Sequence, residues 1–137
     1  EISLRYFGKA HTSGDIFIHL PRGMIVFTGD VAQDGGVPYF GDSYPDEWPE
    51  TANLLVELPV ERFVSGHGPV GDHDALMKAR DFIDTLVDHL KTAIRDGQDE
   101  GAASTSVINA LSPRFGDWRG FDGLEEKIPE VYQKLNQ

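Results

Sequence analysis

Ala10–Asp30, AHTSGDIFIHLPRGMIVFTGD, is the stretch on which the reading of this chain turns. Its middle holds two apolar, β-prone runs, Ile16-Phe17-Ile18-His19-Leu20 and Met24-Ile25-Val26-Phe27. Pro21-Arg22-Gly23 parts them, a pattern that predicts a tight hairpin. Its two ends are polar and glycine-punctuated: His11-Thr12-Ser13-Gly14-Asp15 before the first run and Thr28-Gly29-Asp30 after the second.

Working outward, Ile2–Phe7 alternates apolar and polar residues as a half-buried strand does. The chain enters this strand directly after Glu1, as a segment cut from a longer parent would. Residues 31–46 carry Gly35, Gly36, Pro38, Gly41 and Pro45 and read as a long functional loop. Glu47–Leu58 predicts a helix beginning near Trp48-Pro49, and Arg62-Phe63-Val64 a short buried strand. From Asp72 to Asp96, Leu76, Ala79, Phe82, Ile83, Leu86, Val87, Leu90 and Ile94 recur at helical spacing, with Asp72 as cap and Gly97 as stop. Beyond Gly97, residues 98–106 read as a linker or a weak helix start. Val107–Leu111 and Leu124–Leu135 read as short helices around a turn with Trp118 and Phe121. The order gives a mixed α/β (α+β) fold with mostly antiparallel strands, residues 1–97 forming the principal domain and 98–137 a helical tail packing on it.

The 137 residues suffice for one domain with a real core. A formal net charge of -11 repels phosphate backbones and anionic lipid, which disfavours nucleic-acid and membrane partners. No apolar stretch approaches the length of a membrane span, and the chain reads as soluble, with the cytoplasm the favoured compartment. The absence of cysteine removes disulfides, thiolate metal ligands and a cysteine nucleophile.

His11, Asp30 and His67 carry the chemistry. Each follows an apolar, β-prone run in a short glycine-containing segment, His67 within Ser65-Gly66-His67-Gly68-Pro69. Two imidazoles and a carboxylate converging from strand ends suit zinc and tolerate iron or manganese. The blander alternative is three polar residues at loop mouths; their shared setting favours the metal reading. Thr12 and Asp15 are candidates to hold the His11 loop or to fix its imidazole tautomer from behind. Tyr39, Phe40, Tyr44 and Trp48 either line a substrate pocket over the site or pack back on their own scaffold. His19, on a strand, reads as a cross-strand or surface residue, His73 opens the long helix, and His89 falls on its solvated face.

The succession His-Thr-x-Gly-Asp, apolar hairpin, Thr-Gly-Asp and Ser-Gly-His-Gly resembles the C-terminal half of the metallo-β-lactamase superfamily of metal-dependent hydrolases. The spacing agrees, with 19 residues from His11 to Asp30 and 37 from Asp30 to His67. The resemblance covers about residues 1–95 and implies half of an αββα sandwich with a one- or two-metal site at its edge. By it, His11 matches the third histidine of the first metal site, Asp30 the bridging aspartate and His67 the last histidine of the second. Aspartate at position 30 without any cysteine is more similar to the glyoxalase II-type hydrolases than to cysteine-ligated β-lactamases. The family's His-x-His-x-Asp-His signature has no counterpart here, and His19, His73 and His89 are not spaced to replace it.

Two functional expectations follow. One is a partial hydrolase component acting on a small ester, thioester, lactone or amide when the missing N-terminal half completes it. The other is a non-catalytic descendant of the fold that self-associates or binds a partner. Half a sandwich leaves one sheet face without its partner layer. A second copy in a homo-oligomer, a separate N-terminal half or the folded-back tail would have to cover it, the tail offering Val107, Ile108, Leu111, Phe115, Trp118, Phe121 and Leu124.

Overall fold

A computed structural model describes residues 1–137. Five strands, β1 (Ser3–Tyr6), β2 (Ile16–Leu20), β3 (Ile25–Gly29), β4 (Arg62–Ser65) and β5 (Gly71–Asp72), form one sheet in that spatial order. All neighbouring pairs are antiparallel except β3 and β4, which run parallel. The crossover between those two carries the long loop and α1 (Trp48–Val56). The predicted hairpin between β2 and β3 is present. Pro21–Gly23 forms a single 3₁₀ turn and Met24 takes a left-handed conformation, φ 53°, to re-enter the sheet.

α2 (His73–Arg95) starts where its cap residue requires: the Asp72 carboxylate accepts from Ala75 N at 2.8 Å. Gly97, with φ 77°, turns the chain away after it. The segment after Gly97 is helix almost from its start. α3 (Glu100–Phe115) is capped by Asp99, which accepts from Ala102 N at 2.9 Å, so of the two readings of residues 98–106 the helix start is the one observed. α4 (Leu124–Leu135) follows one further 3₁₀ turn. No helix is long and apolar enough to cross a membrane.

The pleat divides the sheet into two contrasting faces. His19, Val26, Phe63 and Gly71 form one transverse row, and with Phe17 they face the helices and are buried. One apolar core runs from these strands through Trp48 and Leu55 of α1 and Phe82, Leu86 and Leu90 of α2 to Val107, Leu111, Leu124 and Ile128 of α3 and α4, without a break near residue 97. The opposite row, Leu4, Ile18, Phe27 and Val64, lies on the outer face beside the Tyr6–Ile16 pair. Leu4 is 68% exposed and Ile16 56%.

The open sheet face expected of half a sandwich is therefore present, but the tail does not fold back over it. Val107, Leu111, Phe115, Trp118 and Leu124 are buried on the helical side, where Phe82, Phe115 and Trp118 form one aromatic stack. His19 is also not a surface residue. It pairs across to Val26 on the inner row and is 3% exposed, because position 19 shares the parity of buried Phe17.

Candidate metal centre

Topology brings three distant segments to one end of the sheet. β3 and β4 are parallel, so Gly29 and Ser65 pair at their C-terminal ends, just before Asp30 and His67. β2 is antiparallel to β3, so its N-terminal end, preceded by the His11 loop, lies at that same edge. Gly66 N donates to Gly29 O at 2.8 Å and Ser65 Oγ donates to the same carbonyl at 3.1 Å, binding the His67 turn to the Asp30 strand end. His67 N then donates to Ser65 Oγ at 3.2 Å.

The three side chains meet. Asp30 stands between the imidazoles and turns one oxygen to each: Oδ1 lies 3.4 Å from His67 Nε2 and Oδ2 lies 4.0 Å from His11 Nε2. Gly66 permits this approach, since a Cβ there would collide with Asp30 Oδ1. His11 is 14% exposed and His67 69% exposed, so one imidazole is embedded and the other open to solvent. Trp48 and Tyr39 pack edge-on against the His11 ring, with centroids at 6.0 and 6.2 Å. Trp48 is itself anchored by donation from Nε1 to Val31 O at 3.2 Å.

Thr12 and Asp15 hold the loop. The Asp15 carboxylate accepts from Thr12 N at 2.8 Å and from Thr12 Oγ1 at 2.9 Å, and Gly14 N donates to Thr12 Oγ1. These bonds close the turn after His11 on itself. Of the four loop aromatics, Phe40 and Trp48 are core residues, 1% and 0% exposed, and stack on each other with centroids 5.7 Å apart. They support the site from beneath and do not form an open pocket wall, which corrects the pocket reading for these two. Tyr39 is exposed beside His11. Tyr44 lies under the Lys9 ammonium and borders a groove with Thr12, Asp42 and Lys134.

One observation bears on whether these donors could hold a divalent metal. His11 Nε2 is buried and has no hydrogen-bond partner, a cost of about 1–3 kcal/mol that a bound cation removes. Tetrahedral zinc with bonds of about 2.0–2.1 Å holds neighbouring donors roughly 3.3 Å apart. The Asp30–His67 separation matches that edge, whereas the Asp30–His11 separation exceeds it by several tenths of an ångström. The side chains do not close into a three-ligand cage on their own. His73 and His89 take no part: His73 Nδ1 meets Val60 O at 3.0 Å and His89 Nδ1 meets Thr85 O at 2.9 Å.

Two features lay outside the sequence reading. Lys134 of α4 donates to the carbonyls of Phe40, Gly41 and Ser43 at 2.9, 2.8 and 3.0 Å, fastening the loop beyond Asp30 to the last helix. Arg119, between α3 and α4, reaches the loops flanking Asp30 and His67. Lys134 reaches Ser43 across 91 residues and Arg119 reaches Asp34 across 85, and no local pattern signals either.

Comparison with known proteins agrees with the resemblance at the level of the superfamily, and the matches carry the metallo-β-lactamase name, not that of the glyoxalase II-type hydrolases. No family model matches the chain. A metallo-β-lactamase type 2 from Pseudomonas aeruginosa is 31% identical over 80 residues, covering 57% of this chain and 32% of that protein. The solved structure of VMB-1 superposes with a TM-score of 0.57 at 28% identity, covering 61% of this chain and 41% of that one. The mono-zinc form of the metallo-β-lactamase FIM-1 from Pseudomonas aeruginosa gives a TM-score of 0.59 at 18% identity, over 63% of this chain and 40% of that one, a likeness of fold alone. Over about 61% of its length this chain is similar in fold to metallo-β-lactamases. It spans about a third of the length of the curated relative it matches.

Proposed function

We propose that this chain is a component of a metallo-β-lactamase-fold hydrolase in which His11, Asp30 and His67 hold a divalent metal, zinc in the first instance. The observation that carries this reading is the Asp30 carboxylate lying within 4.0 Å of both imidazoles, which come from separate segments, with His11 Nε2 buried and without a hydrogen-bond partner of its own. A metal held there supplies Lewis acidity and lowers the pKa of water to about 7, the chemistry needed for hydrolysis of an ester, thioester, lactone or amide. Relatives bearing the β-lactamase name favour the amide end of that range. His11, embedded against Trp48, fixes one side of the site; His67, on an open turn, leaves the other side accessible to a small substrate. Turnover requires the remaining ligands, which a complementary segment carrying His-x-His-x-Asp-His would bring while covering the apolar sheet face.

Calorimetric titration of the chain with zinc tests the site. Binding that weakens in His11→Ala, Asp30→Ala and His67→Ala supports it, and metal content indifferent to all three changes refutes it. Mixing the chain with the complementary segment tests the hydrolase: activity toward a chromogenic lactam or thioester is expected only from the mixture.

The outer sheet face favours a second reading, a protein that associates without turnover. Zinc-independent self-association together with a hydrolytically silent mixture would favour it.

A further inference from the structure

Arg119 stands far along the chain from the candidate ligands, yet its backbone is joined to the loop that follows Asp30. Arg119 N donates to Gly35 O and Val37 N donates to Arg119 O, both at 2.9 Å. The side chain continues toward the site, and Nη2 donates to Asp34 O at 2.7 Å. The guanidinium fills a slot that exists because Gly36 and Gly68 carry no side chains. A Cβ on Gly36 would lie 2.9 Å from Nη2, and one on Gly68 would collide with the same nitrogen. Gly68 directly follows His67 and holds φ 83°, a conformation few other residues adopt. The turn Ser65–Gly68 is thus hydrogen-bonded to Gly29 at its start and has the Arg119 guanidinium lying close against Gly68 at its end.

We propose that Arg119 is a positioning residue for His67. Its planar guanidinium braces the His67 turn against the Asp34–Val37 loop and so sets the separation between the His67 imidazole and the Asp30 carboxylate. His67 needs such support more than His11 does: aromatic rings confine His11, while His67 is 69% exposed on a glycine-flanked turn. Arginine suits the place because a flat fork fits between two backbone segments and can donate as it does so; a lysine ammonium offers a point charge on a flexible stem. This role rests on the metal-binding reading above.

The test is zinc titration of the whole chain as wild type, Arg119→Ala and Arg119→Lys, with cobalt(II) absorption as a spectroscopic readout of ligand geometry. Arg119→Ala is expected to weaken zinc binding roughly ten-fold and to shift the cobalt spectrum, in line with the loss of other supports behind metal ligands. Arg119→Lys is expected to recover part of both. Zinc affinity and cobalt spectrum unchanged in a folded Arg119→Ala protein would overturn the proposal. If Arg119→Ala does not fold, Arg119→Gln, which keeps a donor for Asp34 O, takes its place with the same criteria. If the wild type binds no zinc, the metal reading falls by itself, and amide exchange at Gly66, His67 and Gly68 decides the brace. Exchange about ten-fold faster in Arg119→Ala or Arg119→Gln would sustain it, and unchanged exchange would overturn it.

Discussion

The two faces of the sheet are built from the same strands and nearly the same residue types, yet one is sealed and the other is open. Phe63 and Val26 on the inner rows are fully buried under α1 and α2; Phe27, a strand neighbour of both, is 39% exposed on the outer row. Apolar character alone therefore does not report the core of this chain. The inner face is stabilised by contacts within the chain, whereas the outer face carries surface that gains from burial only when something else arrives.

The largest expected effect tests that contrast directly. Phe63→Ala should lower unfolding free energy in urea by about 3–5 kcal/mol, because it opens a cavity in a closed core. Phe27→Ala should cost no more than about 1 kcal/mol in dilute solution. Equal losses would mean that the outer face is covered in solution. Next in size, light scattering is expected to report a dimer or larger species for the wild type, and Ile18→Asp on the outer row should shift it toward monomer. An unchanged mass in the variant would remove the outer face as the site of association. Third, His11→Ala and His67→Ala should each weaken zinc binding by about ten-fold or more, the embedded His11 giving the greater loss. A larger loss at His67 would place the metal toward the solvent side of Asp30.

The smallest effect belongs to the helical layer that seals the inner face. Partial burial opposes ionisation of Asp81, but hydrogen bonds from Arg80 and Arg114 outweigh it and hold its pKa below the ordinary value of 3.8. A depressed carboxylate adds stability above its unfolded pKa and loses it as pH falls through the folded one, so this contribution disappears below pH 3.8. Asp84 is pushed the other way by burial, against the attraction of Arg80, so its charged form costs stability at neutral pH. Asp84→Asn should raise the melting temperature slightly at pH 7 and leave it unchanged near pH 3, whereas Asp81→Asn should lower it at pH 7. Melting curves at the two pH values check both signs.

The legible parts of the molecule were those set by neighbours in sequence. Alternation marked β1, the breaker Pro21-Arg22-Gly23 marked the hairpin, and the apolar stripe of α2 with its Asp72 cap marked the longest helix. The glycine-flanked settings of His11, Asp30 and His67 pointed to residues that do meet, because strand ends in register leave their following residues adjacent. α3 was less legible, since Gly101, Ala102, Ala103 and Ser104 carry almost no apolar periodicity and its capping Asp99 sits in a polar stretch. The burial of His19 was hidden by its polarity; only strand parity with Phe17 reveals it. Phe40 and Trp48 could be read as pocket or core because an aromatic side chain serves both, and the choice lay in a stack formed across the loop. Arg119 reaches its partners across 85 residues, a distance over which composition carries no signal.

Lys134 has one more consequence. Its ammonium spends all three hydrogens on the carbonyls of Phe40, Gly41 and Ser43, so that loop, besides its stack on Trp48, is tied to a helix formed more than 90 residues later. Loop and helix should accordingly melt as one cooperative unit, with slow amide exchange spreading from α4 into residues 40–43 and not from the strands beside them. Acylation of that single amine would uncouple the two, freeing Tyr39 and the rim above His11 while the hairpin stays intact.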